Sequence, residues 1–338
     1  MTDFRSDNTH GASPEILEAL TRIGGGTVSS YGHDDLTARV RERCRELFET
    51  DVEILPVSTG TAGNALSLAV LTPPWGGVFC HEDAHVHRDE MGAPEFFTNG
   101  AKLFPIAGAN GKLDATSLAA AIDDIACEGR SARPASVSLT QATEAGTIYT
   151  PDEMRALCEV ARARGCRVHV DGARFANAVV GMNASPADLT WRAGVDVLVF
   201  GATKNGAIAA ELIVMFDKSL AAELTTRWHR AGHRLSKMRF LSAQFDAYLE
   251  RDLWLRNARH ANAMAARLGA SMPELLRPVE ANVVFARLAP EVLAKLRAQG
   301  FLFYDWPLFG EGAVRLVCGF STTEAEVDAL LAALHSAR

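Results

Sequence analysis

Three short segments carry side chains able to act on a small molecule, and each follows a run of β-forming residues. The first is Ser58-Thr59-Gly60-Thr61-Ala62-Gly63-Asn64, after Ile54–Val57. A glycine-bearing turn that opens an apolar helix presents unpaired N–H groups and the positive end of the helix dipole, which suits a phosphate. An ordinary strand–helix turn has the same composition, so this motif alone decides little. The second is Asp171-Gly172-Ala173-Arg174, after Arg167–Val170. Its carboxylate and guanidinium could hold a cofactor and its substrate, or simply pair with each other on the rim. The third is Gly201-Ala202-Thr203-Lys204-Asn205-Gly206, after the apolar run Val195–Phe200. Small residues around Lys204 let a ligand approach the backbone. A lysine buried there is costly unless neutralised or used, and Schiff-base formation uses it. A surface lysine on a tight turn would need no such explanation.

In chain order the three make a set. A phosphate cradle, an acid and a lysine are what pyridoxal phosphate requires: N–H donors for the phosphate, a carboxylate that keeps the ring nitrogen protonated, and an amine for the aldehyde. Other constellations are weaker. His81, His85 and His87, with Glu82, Asp83 and Glu90, match no standard zinc spacing, so no metal is expected. Arg227, Arg230, Arg234, Lys237 and Arg239 form a basic cluster. Without interleaved aromatics they read as a solvated helix face rather than a nucleic-acid site.

The elements that must position these segments alternate. Strands are expected at Ile54–Val57, Val78–Cys80, Lys102–Phe104, Ser136–Leu139, Arg167–Val170, Val195–Phe200 and Leu212–Phe216. Several are nearly all apolar, as when both faces of a parallel sheet are covered. Thr150-Pro151-Asp152-Glu153 reads as a capping box that starts a helix ending at Gly165. Alternation of this kind implies an α/β fold with chemistry beyond the carboxyl ends of the strands. After Phe216 helices dominate, around Leu235–Arg251 and Asn257–Leu268. Strands near Val283–Arg287 and Val314–Val317 and a helix from Thr323 to Leu334, capped by Thr323 and Glu326, complete the chain. The expected division is a large domain at 1–246 and a smaller C-terminal α/β domain at 247–338.

A chain of 338 residues can bury about 75% of its unfolded surface, so no disulfide or metal is needed for stability. The net charge of −7 gives no overall field to gather nucleic acid or anionic lipid. Six scattered cysteines without a CxxC pair suit a reduced, cytoplasmic protein. The polar start MTDFRSDN does not read as a signal peptide. The uncharged run Ile54–Cys80 is long enough for a bilayer, but Pro73-Pro74 and several glycines break it. It reads as strand, loop, helix, turn and strand.

The ordered motifs resemble those of the L-threonine aldolases, low-specificity branch, within the aspartate aminotransferase-like fold. They are Ser6-Asp7-Asn8, Ser30-Tyr31-Gly32-His33-Asp34, Gly60-Thr61-Ala62-Gly63-Asn64, Ala84-His85 through Glu90-Met91-Gly92-Ala93, Gln141-Ala142-Thr143-Glu144-Ala145-Gly146, His169-Val170-Asp171-Gly172-Ala173-Arg174, Gly201 through Gly206, Ser236-Lys237-Met238-Arg239-Phe240 and Val314-Arg315-Leu316-Val317. The resemblance implies that Lys204 holds the cofactor, Asp171 pairs with the ring nitrogen, and Gly60 and Thr61 bind phosphate, with Thr203 adjoining. It implies that His85 stacks on the ring and serves as acid/base. Ser6, Arg174 and Arg315 would hold the substrate carboxylate, with Arg174 also near the ring oxygen. Tyr31 would line the site from a neighbouring subunit, and Lys237 would reach the phosphate across a subunit interface of a homodimer or homotetramer. Thr203 stands where many relatives have serine, Ala207–Glu211 is poorer in glycine, and Ala231–Lys237 lacks paired glycines, all features of a subgroup. The implied reaction is aldol cleavage of threonine or allo-threonine to glycine and an aldehyde. A β-eliminating or serine hydroxymethyl-type enzyme on the same fold, or a non-catalytic relative, would share most of these motifs.

Overall fold

The computed structural model describes residues 2–129 and 131–337. Seven strands form one sheet: β1 (Glu53–Val57), β2 (Gly76–His81), β3 (Lys102–Ile106), β4 (Arg133–Thr140), β5 (Arg167–Gly172), β6 (Val197–Gly201) and β7 (Glu211–Met215). Their spatial order is β1-β7-β6-β5-β4-β2-β3. The run β6-β5-β4-β2-β3 is parallel, whereas β7 lies antiparallel to both of its neighbours, β6 and β1. All seven expected strands are present. β5, β6 and β7 are buried almost throughout, which explains the apolar runs of β6 and of Leu212–Met215 in β7; β5 carries the polar His169 and Asp171 inside.

The uncharged run resolves as β1, helix α1 (Gly60–Leu71) and β2. Among the described residues no helix is long and apolar enough to cross a membrane. Gly63 lets α1 lie close on the sheet, since a Cβ there would meet Val199 Cγ1 at 2.7 Å. Thr150 and Glu153 cap α2 (Pro151–Ala163) reciprocally: the Glu153 N–H donates to Thr150 Oγ1 at 3.2 Å, and the Thr150 N–H to Glu153 Oε2 at 2.7 Å.

Helix α3 (Arg239–Leu249) begins four residues later than the apolar pattern suggests. The preceding stretch turns at Gly232, whose φ of +81° is left-handed, and is held by the His233 N–H donating to Trp228 O at 3.1 Å. Helix α4 (Leu253–Gly269) contributes Leu253, Trp254 and Ala258 to the core on the large sheet. Its later residues Met264, Ala265 and Leu268 join a second core. That second core covers a three-stranded antiparallel sheet, β9-β10-β8, of β8 (Val283–Arg287), β9 (Tyr304–Asp305) and β10 (Ala313–Val317). Helix α5 (Glu324–Ala337) packs there, capped by Thr323 and Glu326. The first residues of the chain pack with this C-terminal region: Thr2–Asp3 pairs with Phe301–Leu302, and Phe4 enters the second core.

Candidate active site

The carboxyl ends of the parallel strands converge on two adjoining cavities, of about 230 Å³ and about 610 Å³. Asn8, His85, Glu144, Arg174 and Lys204 line both. The inner cavity also touches Thr59, Gly60, Thr61, Asp171, Thr203 and Glu211; Ser6, Tyr304, Trp306 and Arg315 line the outer one.

Lys204 sits in a single 3-10 turn after β6. The turn is pinned from below: Asn205 Nδ2 donates to the Tyr248 hydroxyl at 2.8 Å and to Trp254 O at 2.9 Å. Gly206 closes it at φ +115°, where any Cβ would meet Ser13 Oγ at 2.2 Å. A flexible lysine is thereby mounted on a fixed backbone. At the start of α1, Thr59 caps the Ala62 N–H at 3.2 Å. Gly60 and Thr61, whose N–H groups have no carbonyl within the helix to bond, line the inner cavity at the positive end of the helix dipole.

Asp171 is buried at the end of β5. It accepts from the Ala173 N–H at 3.0 Å and from Asn64 Nδ2 at 2.9 Å. Burial pushes its carboxyl up, but His85, Lys204 and the Ala173 N–H outweigh that and hold it below the usual carboxylate range. The same Asn64 amide donates to Glu90 Oε1 at 2.8 Å, and Glu90 Oε1 lies 2.9 Å from His85 Nδ1. A hydrogen-bonded chain therefore runs His85–Glu90–Asn64–Asp171. The hydrogen bond to Glu90 raises the His85 imidazole above its ordinary range, aided by the charges of Asp171 and Glu144. Burial raises Glu90 and Glu144.

Arg174 is buried and paired with Asp7: Nε donates at 2.7 Å and Nη2 at 3.0 Å. Asn282 Nδ2 adds a bond to Asp7 at 3.1 Å. Although burial pushes Asp7 up, Arg174 and Lys204 bring it down to about 2. Asp7→Ala would strand a buried guanidinium, so urea unfolding should show a loss of about 3–5 kcal/mol. With a folded value below the unfolded one, this stabilisation is complete above the ordinary 3.8 and disappears as pH falls toward 2. Arg315, on β10, has no carboxylate partner among the described residues. It stacks 5.0 Å from the Trp306 ring and 5.9 Å from the Tyr304 ring, bonds Arg5 O at 3.4 Å, and leaves a buried Nε unpartnered. Burial, then the nearby Arg174 charge, lower its pKa.

Lys204, Asp171, His85, Gly60, Thr61, Thr203, Arg174, Ser6 and Arg315 thus meet at one place. Tyr31 and Lys237 do not line either cavity of their own chain; both are exposed, on a surface where Arg234 stacks 5.6 Å from the Tyr31 ring. His81 bonds Gly108 O and the Asp83 N–H, and His87 is exposed, so the three histidines do not converge. Asp7, Asn64 and Glu144 sit within sequence motifs that give them no role, Glu90 is noted there only beside the histidines, and Glu211 has no local signal beyond closing a glycine-poor stretch.

Residues 3–290 match the family model described as beta-eliminating lyase. The chain belongs to the beta-eliminating lyase family. Within it, the chain is 45% identical to a low specificity L-threonine aldolase of Pseudomonas aeruginosa over 95% of each chain. It is 42% identical to a low specificity L-threonine aldolase of a Pseudomonas species over 99% of each. The solved threonine aldolase of Leishmania major superposes with a TM-score of 0.94 at 26% identity, covering 99% of both chains. The fold is that of the aspartate aminotransferase-like pyridoxal phosphate enzymes, and the donor set fits the cofactor: a helix N-terminus, an ionised acid and an amine line one small cavity.

Proposed function

We infer that the protein is a pyridoxal-phosphate-dependent lyase that cleaves L-threonine, L-allo-threonine and related β-hydroxy-α-amino acids to glycine and an aldehyde. The relatives at 42% and 45% identity support the reaction, and the cavity residues support a division of labour. Lys204 would carry the cofactor aldehyde, α1 would hold the phosphate through Gly60 and Thr61 with Thr203 adjoining, and Asp171 would keep the ring nitrogen protonated. Bound pyridoxal phosphate supplies an electron sink for the bond that breaks at the amino acid α-carbon.

The observation that carries the substrate assignment is Arg315, a guanidinium in the outer cavity with a buried, unpartnered Nε. It would take the α-carboxylate, with Ser6 at the same cavity. Arg174 would add charge while its Nε and Nη2 stay bonded to Asp7. Fixing the carboxylate would hold the Cα–Cβ bond in one orientation, the condition under which the bound cofactor would draw on its electrons. His85 is held at Nδ1 by Glu90 and has no Nε2 hydrogen bond among the described residues, so its neutral form would take the β-hydroxyl proton there. Loss of that proton breaks the bond and releases the aldehyde. Arg315→Ala removes a charge-assisted hydrogen bond of about 1.5–3 kcal/mol, so KM for L-threonine should rise about 10- to 150-fold. Unchanged kinetics would remove Arg315 from the carboxylate site.

Exposed Tyr31 and Lys237 are assigned to a neighbouring copy's cavity in a homodimer or homotetramer. The two cores support a large and a smaller unit, but not a boundary at 246/247: Leu253, Trp254 and Ala258 pack in the first core and Phe4 in the second, so the division falls within α4. Cytoplasmic placement is supported by six free thiols, five of them buried.

A further inference from the structure

The strand β7 is reversed relative to its neighbours, so its first residue, not its last, lies at the edge where the chemistry is. That residue is Glu211, paired in register with Gly201 on one side and Val57 on the other. Its side chain is buried and lines the inner cavity. Its hydrogen-bond donor is uncharged, the Ala202 N–H at 3.0 Å, and the neutral Thr203 hydroxyl beside it favours the carboxylate only partly against burial. Thr203 Oγ1 is also fixed by the Ala210 N–H at 3.1 Å. Glu211 therefore clasps the turn that carries Lys204.

The charges around it are unfavourable to a second carboxylate once the cavity fills. Lys204 on the turn after β6 is the cation acting on it, Asp171 at the end of β5 opposes its ionisation, and the Tyr248 phenol on α3 faces it. The rest of the cavity offers His85, Glu144 and Arg174. His85 is already bonded to Glu90, and Arg174 to Asp7. Burial has pushed the Glu211 carboxyl up to about 7 before any phosphate enters. Pyridoxal phosphate adds a dianionic phosphate and commits the Lys204 amine to its aldehyde. A buried Glu211 carboxylate would then compete with the phosphate and Asp171 for whatever positive charge remains. A neutral acid keeps the bond from the Ala202 N–H and gains an O–H to donate.

We propose that Glu211 is a proton-carrying positioning residue of the cofactor pocket: it is neutral when pyridoxal phosphate is bound, and cofactor affinity falls as it ionises. This rests on the assignment of the inner cavity to pyridoxal phosphate. Glu211→Gln is the discriminating variant, because glutamine keeps the hydrogen bonds without a titrating proton. Apoprotein of wild type and of E211Q is titrated with pyridoxal phosphate across and above neutral pH, and Kd is read from the cofactor's absorbance. The pH dependence contributed by Lys204 and by the cofactor itself is shared and cancels in the ratio. The wild-type to E211Q ratio of Kd should rise by up to about tenfold per pH unit above 7. A ratio independent of pH overturns the proposal, including one in which E211Q is weaker by the same factor throughout. Should E211Q fail to fold, the infrared difference spectrum of wild type decides: cofactor binding at alkaline pH should add a protonated-carboxyl band, and its absence refutes the proposal. Failure of wild type to bind pyridoxal phosphate at all would instead refute the assignment of the cavity.

Discussion

Lys204→Ala loses aldehyde release from L-threonine by a factor on the order of 10⁴ or more, the combined effect of a missing covalent anchor and a missing proton carrier. Lys204 is the one lysine lining either cavity among the described residues, so no neighbouring amine stands ready to replace it. The turn that carries it is fixed by Asn205 and Gly206, not by the lysine side chain. Folding should therefore survive, and the circular dichroism of K204A should match wild type. Purified K204A should lack the visible absorbance of lysine-bound cofactor even with pyridoxal phosphate in excess. Retention of that band together with activity would move the anchoring role to another residue.

Asp171→Ala is the second large effect, with kcat for L-threonine falling about 10²- to 10³-fold, as when one preorganised electrostatic partner of a developing charge is removed. The carboxyl is ionised at neutral pH because His85, Lys204 and the Ala173 N–H outweigh its burial. Its charge is what would hold the ring nitrogen protonated. Asp171→Asn tests charge at nearly constant shape: its single amide oxygen can accept from Asn64 or from the Ala173 N–H, while its NH2 faces the other donor. Equal losses of kcat in D171A and D171N, with cofactor affinity better kept in D171N, are expected. Near-normal kcat in D171N would mean that the carboxylate acts by packing alone.

Why some of this was legible in the sequence and some was not follows from the range of the interactions. The seven strands are local apolar runs and were readable as such. Their spatial order was not, because it depends on how crossovers route the chain. The reversal of β7 was hidden for the same reason, and with it the arrival of Glu211 at the site edge. Lys204, Asp171 and the Gly60–Thr61 turn each follow a strand directly, so strand ends pointed to them. Asp7 meets Arg174 across 167 positions and Asn282 across 275; no local pattern announces such pairs. Asn64 and Glu90 stood inside recognised motifs, yet the chain of bonds from His85 to Asp171 appears only when α1, β5 and the 85–90 segment are brought together. The delayed start of α3 is a turn at Gly232 that overrides an apolar, helix-compatible pattern.

The most direct test of the central claim is product analysis of wild type with L-threonine and added pyridoxal phosphate. Cleavage between Cα and Cβ gives glycine and acetaldehyde in equal amounts and no ammonia. Loss of the β-hydroxyl by elimination gives 2-oxobutanoate and ammonia with no aldehyde. The arrangement of Arg315, His85 and Lys204 predicts the first result; ammonia and 2-oxobutanoate without glycine would contradict it.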